Sequence, residues 1–307
     1  HSDLHLLHEF PAEAMPFDPP FTLGHENAGW VDKLGDGVAH LEEGQPVAVY
    51  GPWGCGICRR CRTGQENYCE RQEELEVWGG GLGLDGGMAS HMLVPAARLL
   101  VPLGDLDPVE AAPLTDAALT PYHAVKRSLP LMVPGSAVVI IGVGGLGHMA
   151  VQITRALSAT KIIAVDQRAD ALKMAEEAGA DHTVISDDDA VGKIRDLTKG
   201  RGADVIIDVV GADQTIALGV EVGRQLGDLT VVGLAGGSVT FGYGKVPSEM
   251  SFATTYWGSV PELREVLALA EQGRIKPHVQ RFDLDEAPSV YEKLAAGEIA
   301  GRAVLIP

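Results

Sequence analysis

Apolar and polar positions follow two different patterns along the chain, and the change falls near residue 120. Before it, the short runs AGWVDKL, PVAVY and SHMLVP lie between clusters of glycine, proline and aspartate. This pattern predicts an irregular, β-rich region. After it, continuous apolar runs of strand length alternate with segments whose apolar residues recur at helical spacing. Continuous apolar runs are typical of strands buried on both faces of a parallel sheet.

The second region predicts a doubly wound α/β fold. Six strands are expected at residues 137–142, 161–166, 182–185, 203–211, 229–234 and 251–256. The segments HMAVQITRALSA, ADALKMAEEAGA, DDDAVGKIRDLTK and DQTIALGVEVG predict the helices that cross between them, with right-handed connections. The last fifty residues predict a helix at PELREVLALAEQGR and a closing strand at AVLIP. A chain of 307 residues is long enough for two domains, since one domain has roughly 100–200.

The charge balance excludes two classes of partner. The formal charge of −18 repels phosphate backbones and anionic lipid surfaces, so neither nucleic acid nor a membrane is expected to bind. No apolar run approaches the roughly 20 residues of a membrane span. The first residues, HSDLHLLHEF, resemble neither a signal peptide nor a transit peptide. We therefore expect a cytoplasmic protein.

The cysteines have the spacing of a metal site. All four lie within GCGICRRCRTGQENYC, at Cys55, Cys58, Cys61 and Cys69. An iron–sulfur cluster is an alternative, but the bacterial ferredoxin run continues x₃-C-P, whereas here seven residues intervene and Glu70 follows. Two disulfides would strain such short loops. Four thiolates leave no open position for a substrate, so we predict a structural Zn²⁺.

A dinucleotide motif follows the first predicted strand of the second region. Gly142, Gly144 and Gly147 form G-x-G-x-x-G, in which the glycines allow a tight turn, close approach of a pyrophosphate and close packing of the helix. Asp166 ends the next strand, where a carboxylate accepts hydrogen bonds from an adenosine ribose and repels a 2′-phosphate. NAD is therefore predicted over NADP, although Arg168 offers a guanidinium that could reach a 2′-phosphate. Further predicted cofactor contacts are Gly145, Leu146 and Val232.

Two segments of the first region contain side chains that could polarise an alcohol or carbonyl. His25 precedes Glu26 in the glycine-flanked turn LGHENAG, although a lone histidine is more often a hydrogen-bonded structural residue. Asp116 lies among apolar residues in PLTDAALTPYHA, where it could instead cap the helix that follows.

These motifs together resemble those of zinc-dependent medium-chain alcohol dehydrogenases. GHENAG, the cysteine segment, PLTDAALTPYHA, GVGGLG and TTYWGS occur in that family's order, and the resemblance covers essentially the whole chain. It is strongest to the bacterial NAD-dependent secondary-alcohol branch. It implies a GroES-like β domain at 1–118 and 259–307, and a NAD-binding Rossmann domain with a six-stranded parallel sheet at 119–258.

The resemblance also implies roles for individual residues. His25 and Asp116 correspond to ligands of a catalytic zinc, and Glu26 to a carboxylate that approaches or exchanges onto the metal. Ser2 and His5 correspond to a proton relay. The remaining correspondences are Trp53 with the aromatic wall of the substrate pocket and Arg302 with an arginine close to the pyrophosphate.

The resemblance implies that one ligand of the family precedes the sequence. The family's first catalytic ligand is a cysteine immediately before the segment that here begins HSDLH. We therefore expect an amino-terminal truncation of an enzyme, without that ligand and without the first strands of the GroES-like domain. Little or no activity is expected from the truncated chain.

The expected reaction is hydride transfer between NAD and a primary or secondary alcohol, which is interconverted with its aldehyde or ketone. The protein is expected to be a homodimer or homotetramer. Two alternatives differ in their metal content. A zinc-free, quinone-type reductase shares the nucleotide domain but usually lacks the cysteine segment. A catalytically crippled NAD- and zinc-binding protein would keep both folds without a working site.

Overall fold

A computed structural model describes residues 2–8, 17, 19–75 and 77–307. The chain divides into two compact units. The first contains His1–Leu119, Trp257–Gly273 and Pro277–Pro307, and the second contains Thr120–Tyr256 and Arg274–Lys276. Among the described helices, none combines the length and the hydropathy that a membrane crossing requires.

The first unit is built from short strands and helices. Its helices are α1 (Ser2–His8), α2 (Arg59–Arg62), α3 (Pro108–Ala111), α9 (Val260–Glu271) and α10 (Ala287–Ala295). Its strands are β1 (Asn27–Trp30), β2 (Pro46–Val49), β3 (Gly79–Gly80), β4 (Gly83–Leu84), β5 (Leu100–Pro102), β12 (Val279–Asp283) and β13 (Arg302–Ile306). β1, β2 and β5 form an antiparallel sheet in that order, whereas β12 pairs with β13 in parallel.

Two strand predictions in this unit differ from the structure. The run AGWVDKL is a strand only as far as Trp30, and SHMLVP at residues 90–95 lies outside the strands. Leu93 in the second run has 84% of its surface exposed, so its apolar character does not mark a buried face. Pro95 also removes an N–H that a strand would donate. The prediction at 90–95 was therefore wrong.

The second unit confirms the predicted doubly wound sheet. Its helices are α4 (Leu119–Ser128), α5 (Gly147–Leu157), α6 (Ala169–Glu177), α7 (Ala190–Leu197) and α8 (Asp213–Val222). Its strands are β6 (Ala137–Ile141), β7 (Lys161–Asp166), β8 (His182–Ile185), β9 (Ala203–Asp208), β10 (Gly223–Val231) and β11 (Ser251–Thr254). All pairs are parallel, and the strand order is β11-β10-β9-β6-β7-β8.

Burial explains why continuous apolar runs predicted these strands correctly. Every residue of β6 and β9 is buried, because helices cover both faces of a parallel sheet. The strand order reverses between β6 and β9, so their carboxyl ends form the switch point where α/β sheets usually bind ligands. β10 begins earlier than predicted, at Gly223, and its pairing with β9 is irregular between Gly223 and Asp228.

The junction of β6 and α5 depends on two glycines. Gly142 has a φ of +88°, a conformation that favours glycine. A Cβ on Gly147 would lie 1.9 Å from the carbonyl oxygen of Gly142. Only glycine therefore lets the first turn of α5 approach the end of its strand.

We predict that Gly147→Ala lowers the free energy of unfolding by about 2 kcal/mol or more, since a clash with backbone forces the helix to shift. The matched control is Gly192→Ala within α7, where an added Cβ meets nothing within 4 Å. That change should stabilise the protein by about 0.5–1 kcal/mol. Denaturant unfolding measures both. Equal effects of the two substitutions would contradict the packing argument.

Candidate functional site

The four cysteines converge in the first unit with free thiols. The Sγ atom of Cys61 lies 3.9 Å from that of Cys55 and 3.4 Å from that of Cys58. All four Sγ atoms lie within 4.8 Å of one another. A tetrahedral site with Zn–S bonds near 2.3 Å places its sulfurs about 3.8 Å apart, so the spacing fits zinc. The cysteines are not disulfide-bonded.

Backbone amides stabilise negative charge on these sulfurs. The N–H of Cys61 donates to Cys58 Sγ at 3.4 Å, and the N–H groups of Cys55 and Arg71 donate to Cys69 Sγ at 3.3 and 3.4 Å. The hydrogen bond from Cys61 is the main cause that lowers the pKa of the Cys58 thiol to about 6. Burial raises the pKa of Cys61, so a cation is needed to keep all four groups as thiolates.

A second cluster of ligand-type groups surrounds His25 in the same unit. One ligand atom from each of His25, Glu26 and Asp116 lies within 4.8 Å of the others. Asp116 lies at the end of the 3₁₀ turn Ala112–Thr115, and its Oδ2 atom is 3.6 Å from His25 Nε2. Tetrahedral zinc with bonds near 2.1 Å separates its ligands by about 3.4 Å. The donor set and its spacing fit a zinc ion.

The ring of His25 has a carboxylate at each nitrogen. The carboxylate of Asp3 on α1 accepts a hydrogen bond from Nδ1–H over 2.9 Å, and Asp116 lies near Nε2. Burial acts to lower the pKa of His25, but the charge of Asp3 and the hydrogen bonds of both carboxylates outweigh burial and raise it to about 9. Because a metal binds the neutral ring, zinc would have to displace a proton at neutral pH.

The two carboxylate oxygens of Glu26 differ in their contacts. Its Oε1 accepts a hydrogen bond from the guanidinium of Arg302, at the start of β13. Its Oε2 is buried and has no hydrogen-bond partner. A buried carboxylate oxygen without a donor is costly, and a cation beside it would remove that cost. This orphaned oxygen is a second observation that fits a metal at the His25 cluster.

The structure places the other predicted residues of this unit as follows. Ser2 and His5 lie three positions apart on α1, a spacing that puts them on one face of a helix. Trp53 follows β2, is 5% exposed and donates from Nε1 to the carbonyl of Tyr50 at 2.7 Å. Their assignment to a relay and to a pocket wall stays a prediction.

Three residues of the His25 cluster were missed from the sequence. Asp3 contacts His25, and Tyr291 donates from its hydroxyl to the other oxygen of Asp3 at 3.0 Å. Trp257 packs edge-to-face on the His25 ring, with centroids 5.5 Å apart. Asp3 lies between the two predicted relay residues, so its position on α1 was the available signal. Tyr291 is far away in sequence and gave none, whereas Trp257 lies within TTYWGS, a segment of the family resemblance to which no role was assigned.

The predicted nucleotide-binding residues lie at the carboxyl ends of β6 and β7. Gly144, Gly145 and Leu146 are partly exposed between β6 and α5, and a Cβ on Gly144 would meet nothing within 4 Å. The backbone of this turn is therefore accessible beside the first turn of α5, where N–H groups bind phosphates. Val232 follows β10, and its N–H donates to the carbonyl of Asp208 at 2.7 Å.

Asp166 is tied to the glycine turn. Its Oδ2 accepts from the N–H of Val143 at 2.6 Å, and its Oδ1 accepts from the N–H of Arg168 at 2.9 Å. The guanidinium of Arg168 lies 3.6 Å from a carboxylate oxygen of Asp170. The carboxylate of Asp166 therefore occupies the end of β7, as expected for recognition of a ribose, and the Arg168 side chain has an acidic neighbour.

A parallel nucleotide-type sheet in one unit and two groups of zinc-type ligands in the other define a class of metal-dependent dehydrogenases. Comparison with known proteins agrees. A family described as zinc-binding dehydrogenase matches residues 145–272, and the alcohol dehydrogenase GroES-like domain matches residues 1–105. The GroES-like part of the predicted fold is thereby confirmed. The chain belongs to the zinc-dependent medium-chain alcohol dehydrogenases.

Individual relatives cover nearly all of the chain. An NAD-dependent alcohol dehydrogenase of Sulfurisphaera tokodaii is 37% identical over 100% of this chain and 89% of its own. The crystal structure of an alcohol dehydrogenase from Aeropyrum pernix has a TM-score of 0.93 and 40% identity, over 100% of this chain and 89% of that one. A D-arabinose 1-dehydrogenase (NADP(+)) of Saccharolobus solfataricus is 35% identical, over 95% of this chain and 82% of its own.

Cys58→Ser is predicted to release the zinc of the cysteine cluster, because it removes one ligand from a closed four-sulfur site. Elemental analysis should show one zinc fewer per chain, and the thermal midpoint should fall. Arg59→Ser is the matched control, since the Arg59 side chain is 77% exposed. Iron in place of zinc, or an unchanged zinc content in Cys58→Ser, would contradict the site.

Asp166→Ala is predicted to weaken NAD binding and narrow the preference over NADP, since both the ribose contacts and the repulsion of a 2′-phosphate are lost. Asp166→Asn separates two effects. Asp166→Asn keeps a side-chain oxygen that can accept from Val143 N–H but removes the negative charge. It should therefore bind NAD more tightly than Asp166→Ala does, while it repels the 2′-phosphate of NADP less than the parent does. Calorimetric titration measures all three proteins. Equal NAD and NADP affinities in the parent would contradict the prediction and point to Arg168.

Proposed function

We propose that this chain transfers a hydride between NAD and a primary or secondary alcohol or its carbonyl product, with His25, Glu26 and Asp116 holding the catalytic zinc. The convergence of these three side chains within 4.8 Å carries the proposal. A zinc ion bound there would act as a Lewis acid that lowers the pKa of an alcohol. Bound NAD would accept the hydride.

The chain's own residues prepare this cluster. In a neutral His25 ring, Nδ1–H donates a hydrogen bond to Asp3 Oδ1. Nε2 is then the atom available to a metal, on the side of Asp116. Such a carboxylate partner fixes the tautomer and raises the basicity of a histidine ligand. Arg302 holds Glu26 by one oxygen, so the carboxylate can turn its free oxygen toward the cluster without leaving its partner.

Ser2 and His5 are proposed to carry the proton away from the reacting hydroxyl. The hydroxyl of Ser2 would accept it while passing its own proton by way of a ribose hydroxyl of the coenzyme to the imidazole of His5, one helical turn further along α1. An imidazole can both accept and donate a proton, which suits this role. Asp3, on the same helix, orients His25, so α1 would serve both the metal site and the relay.

The coenzyme is proposed to lie along the turn between β6 and α5. Gly142, Gly144 and Gly147 shape the turn, and Gly145 and Leu146 would donate or pack from it. Asp166 would bind the adenosine ribose, Val232 would contact the coenzyme beyond β10, and Arg302 its pyrophosphate. Trp53 would line the substrate pocket. We further propose a homodimer or homotetramer in the cytoplasm.

His25→Ala and Asp116→Ala are predicted to lower kcat for alcohol oxidation by at least about 100-fold. Loss of a ligand should exceed the roughly 10–100-fold effect of removing a partner that only orients one. NADH formation measured with a small primary and a small secondary alcohol tests this, alongside zinc content and NAD affinity. His91→Ala is the matched control, because the His91 side chain is 71% exposed.

Metal content separates the alternatives. Two zinc ions per chain with a rate that depends on His25 support the proposal. One zinc, retained by the cysteines, with NAD binding but no turnover, identifies a crippled binding protein. Turnover in a zinc-free protein identifies a quinone-type reductase. An undiminished rate in both His25→Ala and Asp116→Ala would refute the proposed site.

A further inference from the structure

Trp257 has a backbone conformation that bulky residues rarely adopt. Its φ is +53°, in the left-handed region, and its side chain is 7% exposed. Such a conformation is unfavourable and persists only where the surroundings over-determine it. The contacts of the indole ring should therefore show what maintains it.

The turn that carries Trp257 is held on both sides. A Cβ on Gly51 would come within 2.1 Å of the indole Cζ2 atom, so only glycine at 51 leaves room for the ring. The buried hydroxyl of Tyr50 donates to the carbonyl of Gly258 at 2.6 Å, immediately after Trp257. The sequence Tyr50–Gly51 thus supplies both the space for the indole and a hydrogen bond to its backbone.

The indole contacts both sides of the proposed ligand set. Its ring meets the His25 imidazole edge-to-face, at a centroid distance of 5.5 Å and an interplanar angle of 81°. Its Nε1–H donates to the carbonyl oxygen of Thr115 at 2.8 Å. That carbonyl belongs to the peptide group that leads into Asp116, so the hydrogen bond fixes the plane from which the Asp116 side chain starts.

We propose that Trp257 is a positioning residue that sets the orientation of His25 and Asp116 relative to each other for metal binding. The proposal rests on the proposed function, because it takes these two residues as ligands. Burial of an aromatic ring alone would require neither the Nε1–H contact nor the left-handed backbone. A ring in the common backbone region would point elsewhere, whereas this one contacts one ligand and the peptide of the other.

Two substitutions separate the contacts. Trp257→Phe keeps an aromatic ring beside His25 but removes the hydrogen bond to Thr115, and Trp257→Leu removes both. The matched controls are Trp30→Phe and Trp30→Leu, since Trp30 is 61% exposed. Cobalt(II) affinity at the His25 cluster is measured by its visible absorption, in competition with a chelator and with the cysteine-bound zinc retained.

Cobalt affinity should fall about 3–10-fold in Trp257→Phe and about 10–100-fold in Trp257→Leu, the range expected when the partner of a metal ligand is lost. The Trp30 variants should change it less than twofold, and the zinc retained by the cysteines should be constant throughout. Parent-like cobalt affinity and absorption in Trp257→Leu would overturn the proposal.

Proton NMR of the metal-free protein gives a readout that does not depend on metal binding. The carbon-bound ring protons of His25, assigned with His25→Ala, should shift in Trp257→Leu because the ring current of the adjacent indole disappears. They should shift less in Trp257→Phe. Unchanged His25 signals in both variants would overturn the proposal. Where Trp257→Leu is too unstable to study, unchanged His25 signals in Trp257→Phe would overturn it.

The two proposals fail in different ways. If His25→Ala binds cobalt as tightly as the parent, the proposed function is wrong, whatever the Trp257 variants do. If His25→Ala abolishes binding but the Trp257 variants retain parental affinity and parental His25 signals, the proposed function stands and the positioning role is wrong.

Discussion

The pairing of His25 with Asp3 sets the chemistry of the whole candidate metal site. A histidine can present either nitrogen, and the choice follows from the partner of the other one. With Asp3 at Nδ1 over 2.9 Å, Nε2 is directed to the side of Asp116. Tyr291 holds the second oxygen of Asp3, so the carboxylate that orients the ring is itself fixed. Burial of these groups strengthens each contact, because the local dielectric constant is low.

In the nucleotide-binding unit, the corresponding constraint is close packing of the backbone rather than pairing of charges. Gly147 must approach the carbonyl of Gly142 so closely that no side chain fits, and the exposed amides of the turn follow from that approach. Asp166 then connects the turn to β7 by accepting from Val143 N–H. One carboxylate thus both stabilises the turn and occupies the position from which a ribose would be recognised.

The sequence predicted these units to different extents, for physical reasons. Continuous apolar runs located all six strands of the parallel sheet, because burial on both faces leaves a strong local signal. The cysteines and the glycine turn were found because their geometry is set by spacing within a short segment. SHMLVP was misread because Leu93 is exposed and Met92 and Val94 are only partly buried. Tyr291 and Trp257 act on His25 across more than 200 positions, and no local pattern reports such contacts.

The charges around His25 form a balance that favours a divalent cation. Among the described contacts of Asp3, Glu26 and Asp116, the positively charged or protonatable partners are the guanidinium of Arg302 and the imidazole of His25. A proton on His25, whose pKa is raised to about 9, still leaves one negative charge in excess. A divalent ion in place of that proton would make the cluster neutral and would give the buried Glu26 Oε2 a partner. A buried cluster is most stable when its charges and hydrogen bonds are all matched, so the raised pKa and the orphaned oxygen have one common cause, a site whose acidic groups are arranged for more positive charge than the chain itself supplies.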